Sequence, residues 1–172
     1  MEDSTLMLAI RIPPMIALAV ALHTRVLPHL HLFGIGADVL LLVSIAGGLV
    51  AGPRRGAWTG FIAGLIADTF LHTLFGLSAL TYCIIGYGVG TLRAGVLQMS
   101  WWLPTAATFI GSVVGVTSFV VLGSIMGQEH LWSWQVPMIA LVVAVLNVVL
   151  SPLVLRATRW ALSAGVEPKM AR

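Results

Sequence analysis

The chain has 172 residues, of which 59% are hydrophobic and only 9% charged, and its mean hydropathy is +1.02. A soluble domain typically carries about 25% charged residues to hydrate its surface, so lipid is the main solvent here and a soluble enzyme is excluded. The net charge of +3 comes from nine Lys/Arg and six Asp/Glu in no basic run that could track a phosphate backbone, which excludes nucleic acid as a partner.

Helices crossing ~30 Å of hydrocarbon need roughly 20 residues each, and the apolar runs predict six of them. Met1-Glu2-Asp3 opens acidic where a secretory leader is basic. Span 1, at about residues 12–32, is therefore expected to be retained. Pro13 and Pro14 lie in its first turn, where missing amide donors matter least. Span 2, at 38–51, is short, and Gly52-Pro53-Arg54-Arg55-Gly56 reads as a turn. Span 3 is predicted at 57–72, span 4 at 76–92, span 5 at 103–126 and span 6 at 134–155. Residues 160–172 form a short basic tail. The whole chain, 1–172, reads as one transmembrane domain, an all-α compact bundle without strands.

Basic residues orient the bundle. With the N-terminus inside, Arg11, Arg54, Arg55, Arg93, Arg156, Arg159, Lys169 and Arg172 are cytoplasmic, and only Arg25 lies opposite. Both termini are then inside. Trp58, Trp101, Trp102, Trp132, Trp134 and Trp160 all fall near span ends, as an aromatic belt requires.

Asp68 is the most informative polar residue. It follows Arg55 by 13 positions, which places it ~20 Å into the bilayer. A carboxylate facing lipid there is costly, so it must face protein or water. Arg25 and Asp38 fall at the outer ends of spans 1 and 2, and His72 lies one turn beyond Asp68. An outward polar cluster of Arg25, Asp38, Asp68 and His72 is predicted, either as a partner or ligand site or as an ion-pair lock between helices.

Gly56, Gly60 and Gly64 recur every fourth residue on span 3 and end on Asp68. Gly86 with Gly90, Gly111 with Gly115, and Ser44 with Gly48 and Gly52 repeat the spacing. Small residues so spaced let helix backbones approach closely, either inside the bundle or against a partner's helix. Asn147 and Ser151, one turn apart before Pro152, are expected to hydrogen-bond between helices.

Reactive arrangements are missing from the sequence. Cys83 is the lone cysteine, which excludes an intrachain disulfide or thiolate zinc site. His23, His29 and His31 have no further ligand at a convincing spacing, so no metal is expected. Ser78 lacks a following glycine and has no histidine in a later span to activate it. Neither Asp38 nor Asp68 has the context of an aspartyl protease, and no phosphate loop is present. No catalysis and no cofactor are expected. Gln128-Glu129-His130 reads as a solvated outer loop.

The stretch Asp38-Val39-Leu40-Leu41-Leu42, the turn Arg54-Arg55-Gly56, the run from Gly60 to Asp68, Gly76-Leu77-Ser78-Ala79-Leu80 and Gly86-Tyr87-Gly88-Val89-Gly90 together resemble the MreD family of bacterial rod shape-determining membrane proteins. Ala37 stands where that family often has proline, and His72-Thr73-Leu74-Phe75 where it commonly has a Gly/Pro turn. The resemblance implies a non-enzymatic scaffold of the cell-wall elongation complex in the bacterial cytoplasmic membrane. It also implies binding to MreC by helix docking, in a wider complex with MreB and peptidoglycan synthases. That family is similar in fold to the six-helix substrate-binding subunits of energy-coupling-factor transporters. A vitamin transporter subunit, with Ala17 and Ala21 touching the coupling protein, is the alternative it implies.

Overall fold

The computed structural model describes residues 36–70, 74–96, 102–128 and 132–162. Among these residues every regular element is an α-helix: α1 (Val39–Ala51), α2 (Pro53–Phe70), α3 (Leu77–Val96), α4 (Leu103–Ile125) and α5 (Val136–Leu162). They correspond to predicted spans 2 to 6. Span 1 lies outside the described residues.

α1 is apolar on every side, and such a helix must be enclosed. Eleven of its 13 residues are buried, and α2, α3, α4 and α5 all pack against it. Leu40, Leu41, Leu42 and Ile45 form the centre of the core. At ~20 Å, α1 is shorter than the hydrocarbon, but its neighbours shield it from lipid.

The predicted five-residue turn after α1 shrinks to Gly52 alone. Gly52 adopts φ 85°, a left-handed conformation suited to glycine. Its amide donates to the Gly48 carbonyl at 3.0 Å. Pro53 then opens α2 at the position where a missing amide is harmless, so Arg54, Arg55 and Gly56 belong to the helix. The joint before α3 uses a second left-handed glycine, Gly76, with φ 100°.

α4 and α5 are the two described helices long and apolar enough to cross a membrane, with mean hydropathies of 1.9 and 2.7. Their large exposed side chains, including Ile110, Val114 and Ile125 on α4 and Leu141, Val149 and Leu153 on α5, suit contact with lipid.

α5 carries Pro152 inside it and does not stop at Leu155, as its composition suggested, but continues to Leu162. A proline inside a helix deprives the carbonyl four residues earlier of its donor. That carbonyl belongs to Val148, and the Ser151 hydroxyl donates to it at 2.8 Å. Ser151 thus repairs its own helix instead of bonding to a neighbour. Asn147 does reach across, donating to the Ser112 hydroxyl of α4 at 3.0 Å.

The helices alternate in direction. Gly47 faces Thr59 while Gly56 faces Gly48 and Gly86. Gly64 meets Ala79, and Gly90 meets Pro53. Gly111 takes the Ile45 side chain, and Gly115 takes Leu41. One end of the bundle therefore gathers the start of α2 and α4 with the end of α1, α3 and α5. The other end gathers Asp38, Asp68 and the start of α3.

Candidate functional site

Asp68 sits near the end of α2 and is 5% exposed. The first amides of any helix lack intrahelical acceptors and carry the positive end of its dipole. α3 turns those amides onto Asp68. The Ser78 amide donates to Oδ1 at 3.0 Å. The Gly76 and Ala79 amides donate to Oδ2 at 2.8 and 3.4 Å. A carboxylate that lipid would reject is thus the N-terminal cap of the next helix.

Asp38 caps its own helix. Its Oδ1 accepts the Leu41 amide at 2.9 Å, while Oδ2 accepts the Tyr82 hydroxyl. Tyr82 is buried and lies one turn beyond Ser78 on α3. Its carbonyl accepts the Ser44 hydroxyl of α1 at 2.6 Å. The two carboxylates therefore converge on the first two turns of α3, joining α1, α2 and α3 at one end. Arg25 and His72, the other members of the predicted cluster, lie outside the described residues.

The small-residue seam is filled from within. A Cβ at Gly60 would strike the Tyr82 carbonyl, and one at Gly64 would lie 2.5 Å from the Ala79 amide and the Ser78 carbonyl. Gly86 opposes the Gly56 carbonyl, and a Cβ at Gly90 would lie 2.5 Å from Pro53. The face carrying Gly56, Gly60 and Gly64 is occupied by α3 and α1, so it is not open to a helix of another protein. Gly111 and Gly115 receive side chains rather than backbone, from Ile45 and Leu41 of α1 and Val89 of α3.

Three large apolar side chains are exposed beside Asp68 among the described residues. Phe70, Leu74 and Phe75 are 48%, 42% and 72% exposed, around the joint that Asp68 holds. A cleft of about 1070 Å³ between the end of α4 and the start of α5 is lined by Trp132, Trp134, Met138 and Leu141 among others, with no ionisable side chain among the described residues. Among the described residues no group of three His, Cys, Asp or Glu is placed to hold a metal ion.

Sequence reasoning missed Tyr82 and Arg93. Tyr82 carries a signal, since a buried tyrosine needs a partner for its hydroxyl. Arg93 donates to the Val50 carbonyl at the end of α1, a contact that its place in a basic end segment does not reveal.

Among the described residues, an all-helical bundle with two long apolar helices, glycine seams and internally bonded acids is consistent with a helical membrane protein. The family model described as rod shape-determining protein MreD matches residues 5–159, so the chain belongs to the MreD family of rod shape-determining membrane proteins. No curated protein and no solved structure matches it.

Proposed function

We propose that the chain is a non-enzymatic, multi-pass scaffold of the cell-wall elongation complex in the bacterial cytoplasmic membrane. In this reading it binds MreC directly and, within the wider complex with MreB and peptidoglycan synthases, helps to maintain rod shape without a cofactor. The match to the MreD family over residues 5–159 carries the reading. Six spans with both termini inside complete it, the first at about 12–32.

The docking site is proposed at the outer end, where exposed Phe70, Leu74 and Phe75 surround a joint stiffened by Asp68. Asp38 and Asp68 set the shape of this surface, and the phenylalanines and leucine supply the contact. The transporter alternative has no comparable support, because both carboxylates engage the chain's own amides and phenol.

Co-purification of MreC with the full-length chain tests the site. Leu74→Ser with Phe75→Ser is expected to reduce MreC recovery several-fold. Trp58→Ser, at the opposite end, is expected to leave recovery unchanged. Equal recovery with all variants would refute the proposed surface.

A further inference from the structure

All five arginines among the described residues, Arg54, Arg55, Arg93, Arg156 and Arg159, lie at the end opposite Asp38 and Asp68. No carboxylate of the described residues shares that end. Arg93 is turned onto the Val50 carbonyl, whereas Arg54, Arg156 and Arg159 are exposed.

The exposed arginines come with tryptophans. Trp58 follows Arg54 by four residues on α2, and Trp160 follows Arg156 by four on α5. Residues so spaced share a helix face, and the two indoles are 62% and 58% exposed. Two separate helices thus each project a guanidinium and an indole from one face. Helix stability does not explain Arg54, because the first turn of a helix disfavours positive charge. A phosphate does explain it. Guanidinium matches phosphate oxygens in a two-pronged fork, and indole rings settle at headgroup level.

Placement favours a lipid over an acidic protein. α2 packs on α1 and α3, whereas α5 packs on α4 and α1. The two Arg–Trp pairs therefore sit on different sides of the bundle, around its perimeter rather than on one compact patch. We propose that Arg54 with Trp58, and Arg156 and Arg159 with Trp160, select anionic phospholipid headgroups, giving the bundle a ring of lipid enriched in phosphatidylglycerol at this end.

The test uses the full-length chain in phosphatidylcholine bilayers, with spin-labelled phosphatidylglycerol or phosphatidylcholine as probe. Electron paramagnetic resonance reads their relative association with the protein. A preference of about fivefold for the anionic probe is expected, falling towards one at high salt. R54Q/R156Q/R159Q is expected to abolish it at low salt. A ratio near one in the wild type would overturn the proposal and leave the rim to an acidic protein segment. A preference that survives high salt or the glutamine substitutions would overturn it as well.

Discussion

Asp68 shows how a charge becomes tolerable inside an apolar bundle. The Gly76 amide of the joint and two amides of α3 surround it, and hydrogen bonds to a charged group are worth about 1.5–3 kcal/mol. Asp68→Asn keeps one acceptor oxygen and loses the charge. It is expected to lower stability by about 1–3 kcal/mol, read by denaturant unfolding of the micellar protein followed by circular dichroism. No change would mean that the amides find water instead. Ser151 allows a sharper test, because its role depends on Pro152. Ser151→Ala should destabilise by about 1–2 kcal/mol by leaving the Val148 carbonyl unmet. In a Pro152→Ala background the restored amide takes over, and the same change should be nearly neutral. Equal effects in both backgrounds would sink the repair role. That a carboxylate at the depth of Asp68 needs polar company is legible in the sequence, since hydrocarbon offers none. That α3 supplies it is not legible, because the Gly76 joint sets which amides arrive.

Helices α1, α2 and α3 meet backbone to backbone, whereas α4 meets α1 through side chains seated on Gly111 and Gly115. Gly86 and Gly88 separate these requirements within two residues of one helix. A Cβ at Gly86 would collide with the Gly56 carbonyl, while one at Gly88 meets nothing within 4 Å. Backbone cannot yield as a flexible side chain does, so Gly86→Ala is expected to destabilise by about 3 kcal/mol or more. Gly88→Ala should be neutral or stabilising by up to about 1 kcal/mol, from helix propensity. Thermal unfolding of the two variants side by side checks this, and equal melting temperatures would contradict the seam. Four-residue glycine spacing reveals a close-packing face but not its neighbour, because periodicity defines a direction on one helix only. Helix ends were less readable still. Arg54 and Arg55 look like turn residues by composition, yet Gly52 alone reverses the chain and leaves them inside α2. Composition ends span 6 at 155, yet α5 runs on to Leu162.

At the scale of the molecule, chemistry is divided between two ends. The five described arginines and three described tryptophans, Trp58, Trp102 and Trp160, gather at one. Asp38, Asp68, the capped start of α3 and exposed Phe75 gather at the other. Between them lies an apolar bundle whose polar side chains bond mainly to its own backbone. Such a molecule is suited to presenting a fixed shape to a partner. The most direct test places a photo-crosslinking amino acid at position 75 or at position 58 in full-length protein expressed with MreC in cells. The account predicts an MreC adduct from position 75 and none from position 58. No adduct from 75, or one from 58 alone, would contradict docking at the aspartate end.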